Sequence, residues 1–490
     1  LKADRRFLLL IALVVSLLIV VVPGVASART LHVPGDYKTI QGAVYAAAPG
    51  DTIEVGSGTY QEDVFVKQQV LLKGVDTGSG LPVIDMGREK LSVGLYISAA
   101  GATVQGFIIS NATNGISVRA NNCMVLENTV KNNDFGIIID GSGCKVSGNS
   151  VTDNTCGIKD ENSSNSVTGN LVGNNKDGIA LDGSSHSIIK DNTVNNNSGD
   201  GILISNSGYA TVTGNKISNN DNGINIYNSS NSVVAGNVVN SNKNGIRLNS
   251  PRICSNITLT GNSVNNNRLG GMDLAWLNDS VLSGNMVSNN TFGIFLLRSY
   301  RCSLKDNFAL NNTVTGVSEE EQYGLGIYLY NATRALLTGN TANNNNEGIH
   351  LASTADCILT ENTAANNFQS GLGKGGVGID LDHSTNISVR GNVVSNNTDT
   401  GINGINGLSV DDDTTVTQIT ATPPAVTPTA PASGTVPADQ PDISTVPSTR
   451  PTAPDTGAAT TPRPAPSVGI ESLLAVLTCV MLLAYLKKNN

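Results

Sequence analysis

The sequence predicts an all-β fold: a solenoid of short parallel strands, a single-stranded parallel β-helix, with a helix over its first coil. Three observations predict it. A ten-residue phrase recurs, N-T-V-K-N-N-D-F-G-I at 128–137, N-S-V-T-D-N-T-C-G-I at 149–158 and N-L-V-G-N-N-K-D-G-I at 170–179. Its first Asn stands at 128, 149, 170, 192, 215, 237, 262, 285, 307, 340, 362 and 392, and another Asn follows five residues after each. A period of 21 to 23 residues, stretched in three places, is the mark of stacked supersecondary units. Second, apolar residues keep fixed offsets from these Asn: Val125, Val146, Val167 and Ile189 three before, Val130, Val151, Val172 and Val194 two after. Third, charged residues make up only 14% of the chain, and Asn, Ser, Thr and Gly replace them, as suits corners and turns.

Each coil also carries G-I-x-L or a variant, such as Gly178-Ile179-Ala180-Leu181 and Gly348-Ile349-His350-Leu351. Strand alternation sends the first and third residues after Gly inward and the second and fourth outward. Equivalent residues then stack coil on coil, with Ile, Val and Leu columns as the core. The Asn columns belong at corners, where their amides bond along the column and satisfy turn backbone. Gly before Ile fits either a positive φ or a tight space. About thirteen such coils at roughly 4.8 Å each make a stack of about 60 Å.

In chain order, Lys2, Arg5 and Arg6 precede an apolar run over 7–22, and Ala26-Ser27-Ala28 is a small-x-small site, so 1–28 reads as a secretory signal. Residues 29–93 form the cap and first coils. Asp36 is placed to cap a helix over 37–48, ended by Pro49-Gly50-Asp51, with strands at 52–55, 64–66 and 70–73. The repeats fill 94–410. A Pro/Thr-rich stretch, 411–467, lacks any apolar period and reads as a disordered or extended stalk. Residues 468–486 are apolar enough to cross a bilayer as one transmembrane helix, and Lys487-Lys488 fits the inner side, leaving 487–490 as a cytoplasmic tail.

Net charge is −9 and no basic face is evident, which argues against nucleic acid as a partner. Four of the seven Cys (123, 144, 302 and 357) share one repeat position with Ser and Ala. That position reads as a small-residue packing slot for free thiols, although Cys123 and Cys144 lie near enough in successive coils for a bridge.

The segment Y-K-T-I-Q-G-A-V-Y-A-A-A-P-G-D-T-I-E-V-G-S-G-T-Y resembles the opening of pectin-lyase-like β-helix proteins, particularly the NosD-like group. The resemblance covers about 31–405 and implies a right-handed coil. It also raises carbohydrate lyase, hydrolase or epimerase activity and copper-centre assembly as expectations. The lyase pattern of acidic Ca²⁺ ligands with an Arg base has no counterpart, since Arg247 stands alone. Asn397-Thr398-Asp399 matches one polygalacturonase motif, and Asp380-Leu381-Asp382-His383 is a faint echo of an epimerase D-P-H. No catalytic residue is therefore assigned. His32, His186, His350 and His383 show no paired ligand spacing, so neither metal nor other cofactor is expected. The tail around Gly469-Ile470-Glu471 resembles the archaeal PGF-CTERM sorting signal; a plain membrane anchor is the alternative.

Function is expected on the outward second-position column, which runs Tyr96, Ser117, Ile138, Lys159, Ala180, Leu203, Asn225, Arg247, Asp273, Phe295, Tyr328, His350, Asp380. Asp140, Glu161 and Asp182, at fourth positions, read as solvated charge, with a Ca²⁺ site as the alternative. Two insertions, after Asn312 and after Asn367, leave at one corner and are expected to wall a patch of Tyr328, Tyr330, His350, Asp380, Asp382 and His383. Aromatic rings stack on sugars and carboxylates accept their hydroxyls. The expectation is a membrane-anchored cell-surface protein that binds polysaccharide or an envelope or surface-layer protein. A carbohydrate-active enzyme and a purely architectural spacer are the alternatives.

Overall fold

The computed structural model describes residues 27–89, 91–313, 324–369, 375–404, 409–410 and 413–417. The chain divides into two units, 1–422 and 423–490. Everything below concerns the first; residues 1–26 of the expected 1–28 signal, the expected stalk apart from 413–417, and the expected C-terminal helix lie outside the described residues. The solenoid runs past its expected end at 410, since Thr415–Thr417 pairs in register with Val393–Ser395.

The first unit is a parallel β-solenoid of three long sheets with 17, 15 and 16 strands, beside a two-stranded pair of Cys254–Ser255 with Leu277–Asn278. One sheet holds the strands that precede the first Asn of each phrase, one those that follow it, and the 15-stranded one the strands carrying G-I-x-L. Pairing is parallel and in register coil after coil: Val125 lies opposite Val146, Val130 opposite Val151, Ile137 opposite Ile158. The inward residues of all three sheets are buried in one continuous core. A parallel sheet needs cover on its inner face, and here the other two sheets supply it.

The Asn columns close the corners with saturated amides. Asn149 Oδ1 accepts both the backbone N–H of Asn128 (2.9 Å) and its Nδ2 (3.1 Å), while Asn128 Nδ2 also donates to Val104 O at 3.2 Å. The same scheme continues to Asn392 and Asn397. The residue just before each Asn takes the left-handed conformation, φ 58° at Asn132, 59° at Asp153 and 68° at Gly148, which explains the Asn-Asn and Gly-Asn doublets. The Gly that opens each G-I strand answers to crowding, not to φ: a Cβ on Gly136 would sit 2.5 Å from Gly157 O and 2.7 Å from Val151 Cγ1.

The capping helix is shorter than expected and differently capped. It spans Ile40–Ala46, and its N-cap is Thr39, whose hydroxyl accepts from Gly42 N–H at 3.1 Å. Glu62 accepts from the N–H groups of Ile40 (2.8 Å) and Gln41 (3.0 Å), so the first-turn donors are satisfied from Ile40 onward. Asp36 is drawn instead to the N–H of His32 at 2.9 Å. Ile40, Ala43 and Val44 are buried over the first coils, where Thr30–Val33 pairs with Thr52–Val55.

Six described cysteines are free and buried, Cys123 and Cys144 among them. Each of these two thiols donates to a carbonyl one coil back, Ala99 O and Ala120 O, at 3.3 Å. Burial pushes Cys156 and Cys302 up to about 12, which keeps them unreactive thiols. One inward position breaks the apolar rule. Asp160 occupies the core column between Ile139 and Leu181. Its carboxylate accepts from Asn165 Nδ2 (2.8 Å), Asn162 N (3.2 Å) and Ser184 Oγ (3.0 Å), and burial raises its pKa.

Candidate functional site

The outward column forms as the repeat offset demands. Register pairs Arg247 with Asp273, Asp273 with Phe295, Phe295 with Tyr328, Tyr328 with His350 and His350 with Asp380. Five coil steps carry it about 24 Å.

At its centre is an aromatic strip. Phe295 and Tyr328 stack with centroids 4.9 Å apart and planes 10° apart. Phe292 meets Phe295 edge-on at 6.0 Å, and Tyr330 lies 6.2 Å from Tyr328. The His350 ring is 5.0 Å from Tyr328, tilted by 52°. These are favourable ring separations, and they leave a flat apolar track beside polar groups.

Below the strip stands a carboxylate–imidazole cluster. His350 Nδ1 lies 2.8 Å from Oε2 of Glu347, a buried residue just before the strand's Gly. His350 Nε2 is buried without a hydrogen-bond partner. Asp380 faces His350 from the next coil and receives Asn403 Nδ2 at 3.1 Å. Burial raises the Asp380 carboxyl, against the opposing pull of His350. One donor atom from each of Glu347, His350 and Asp380 falls within 4.8 Å of the others.

Of the six expected patch residues, Tyr328, Tyr330, His350 and Asp380 come together. Asp382 and His383 pair instead with each other, Nδ1 to Oδ1 2.6 Å, with side chains 53% and 81% exposed. The strand ends at Asp380 and the chain turns, Ser384 N–H bonding back to Leu381 O, so alternation no longer aims them at the patch. The two insertions that were expected to wall it fall mainly on 314–323 and 370–374, outside the described residues.

Sequence reasoning missed two features. Glu347 escaped because it stands before the Gly, outside the G-I-x-L offsets from which the column is read; its only signal is its place three residues before His350. The other is a cavity of about 410 Å³ at the opposite end of the strip, lined by Lys243, Asn244, Arg247, Leu269, Asp273, Thr291 and Phe292. Arg247 is not solitary there. Its Nε lies 3.7 Å from Asp273, whose carboxyl burial raises while Arg247 lowers it. Gly270 makes the room: a Cβ on it would stand 2.4 Å from the Phe292 ring.

The acidic column of early coils is compensated charge. Asp140 pairs with Arg119, and Lys159 reaches Glu161 at 2.7 Å and Asp182 at 3.4 Å. Its carboxylates thus already have cationic partners, in keeping with solvated surface charge.

Fold and face together define an all-β parallel solenoid that displays one stacked, chemically varied column. The chain belongs to the NosD family, described as periplasmic copper-binding protein, which matches residues 98–256, 251–375 and 322–422. No curated protein matches it. Among solved structures, it is similar to the mannuronan C-5 epimerase A-module of Azotobacter vinelandii, with 16% identity over 77% of this chain and 93% of that one and a TM-score of 0.36. A pectate lyase is 13% identical over 61% of this chain and 80% of its own, TM-score 0.31. A mutant DFA-IIIase from Arthrobacter chlorophenolicus A6 is 12% identical over 75% and 90%, TM-score 0.40.

The family's description implies copper, and the donors present fit it selectively. The soft donors that copper(I) prefers are not presented to a ligand among the described residues: Cys123 and Cys144 are neighbours in successive coils, but both are buried and each thiol donates to a backbone carbonyl. His186 is occupied in a stack with Tyr209 at 4.8 Å. Glu347, His350 and Asp380 supply the nitrogen-and-oxygen set that suits copper(II).

Proposed function

We propose that this is an exported, surface-tethered protein that binds a polysaccharide chain along the outward column, from the Arg247–Asp273 cavity to Asp380. The observation that carries this reading is the Phe295–Tyr328 stack, set in one straight file with His350 and Asp380. Rings of this kind cover the apolar faces of sugars, while flanking carboxylates and the Arg247 guanidinium take their hydroxyl and acidic groups. A file of about 24 Å spans several sugar rings. The family's periplasmic description supports export. The apolar 468–486 segment is the proposed anchor and the Pro/Thr stretch its stalk.

An enzymatic reading has one observation in its favour. Glu347 holds His350 by Nδ1, and burial shifts Asp380 toward its protonated form, an arrangement able to move a proton. Incubating the full chain with a polysaccharide panel, and scoring retention and products separately, tests both. Retention without product supports binding. New reducing ends, unsaturated ends or altered uronate stereochemistry replace that reading with an enzyme. Neither result leaves the column without a glycan role, and an envelope-protein partner or spacer takes its place.

A further inference from the structure

We infer that Glu347, His350 and Asp380 form a binding site for one borderline divalent transition ion of the copper(II) or zinc(II) class. The site shares His350 and Asp380 with the glycan column, but the inference does not depend on glycan binding.

Three observations converge. Donor atoms of three different side chains, drawn from two adjacent coils, lie within 4.8 Å of one another. A single ion can draw in all three with small side-chain rotations. Next, the imidazole is prepared as a ligand. With Nδ1–H donated to Glu347 Oε2 at 2.8 Å, the lone pair sits on Nε2, and Nε2 is buried and unpartnered. A neutral imidazole oriented by a carboxylate through its other nitrogen is the usual arrangement of a metal-bound histidine. Last, two carboxylates are held close in a partly dehydrated place. Carboxylate oxygens of Glu347 and Asp380 lie within 4.8 Å of each other, and a cation between them removes the repulsion of two like charges that close.

The donor chemistry sets the class. One imidazole nitrogen with carboxylate oxygens suits copper(II) and zinc(II), whereas calcium and magnesium favour all-oxygen shells. Coordination positions not supplied by the protein would go to water or to hydroxyls of a ligand lying on the Tyr328 strip. Glu347 either ligates directly or orients His350; its loss weakens binding in both cases.

The test is titration of the metal-stripped full chain with copper(II) or zinc(II), followed by calorimetry and, for copper, electron paramagnetic resonance. The expected result is one equivalent bound, with hyperfine splitting from a single imidazole nitrogen. His350→Ala and Asp380→Asn should each weaken binding at least tenfold, and His383→Ala should not. Tyr328→Ala should keep metal affinity while losing glycan, which separates failure of this inference from failure of the glycan reading. Thermal unfolding of each variant identifies any that does not fold, and the Asp380→Asn result then decides. Unchanged affinity in folded His350→Ala or Asp380→Asn overturns the inference. So does a wild-type chain that takes up no ion, or one whose ion is displaced by a hundredfold excess of calcium.

Discussion

The early and late coils present the same sheet in the same register and differ in almost everything they carry at the outward second position. Between Tyr96 and Leu203 the outward column reads Ser117, Ile138, Lys159 and Ala180, with Lys159 consumed by neighbouring carboxylates. Between Arg247 and Asp380 it reads a guanidinium, an acid, two stacked rings, an imidazole and a second acid. Both halves rest on the same Asn ladders and apolar columns. Their difference shows that the scaffold is indifferent to what the second position carries: that side chain touches neither core nor corner, so chemistry can concentrate in one stretch without disturbing the coil.

The largest expected effect tests the shared part. Asn170 in the early half and Asn340 in the late half are both buried. Asn170 Oδ1 accepts both N–H groups of Asn149, and Asn340 Oδ1 those of Asn307, while their own amides reach Val146 O and Leu304 O. Alanine at either strands several buried polar groups at once, at roughly 1–3 kcal/mol for each uncompensated group. Denaturant unfolding should show about 3–5 kcal/mol lost at each, with equal losses in the two halves. A loss in only one half would mean that the ladders are not equivalent.

The next effect tests the part that differs. Tyr328→Ala should reduce glycan retention about tenfold, roughly 1.4 kcal/mol, as read by affinity electrophoresis. Ser117→Ala, at the same offset in the bland half, should change nothing. Equal behaviour of the two would remove the distinction between the halves.

The smallest effect concerns the cap, which belongs to neither half. Hydrogen bonds from the backbone N–H groups of Ala48 and Arg29 and from the Arg29 guanidinium lower the Asp51 carboxyl to about 2. A carboxyl depressed in the fold stabilises it above its unfolded value near 3.8, and that contribution is lost as pH falls through the folded value. Hydrogen exchange at Thr30–Val33 should therefore quicken between about pH 4 and pH 2, after correction for intrinsic rates, with Asp51→Asn showing no such step. A step of the same size in Asp51→Asn would assign it to another carboxyl.

The amino-acid sequence by itself determined the period, the three strands per coil, the inward columns and the offset of the outward face. It could do so because each coil repeats one local rule, and in-register stacking turns a sequence offset into a spatial neighbour. That is why Tyr328, His350 and Asp380 were legible as a group. Only the tertiary structure decided what depends on local exceptions. Glu347 joins His350 through a 2.8 Å contact across Gly348, a position kept without a Cβ by the Gly378 carbonyl of the adjacent coil. Asp382 and His383 leave the patch because the strand ends at Asp380. Arg247 gains a cavity because Gly270 yields space to the Phe292 ring one coil away. Each of these turns on the close approach of backbone or side chains between coils, a distance that no repeat offset encodes.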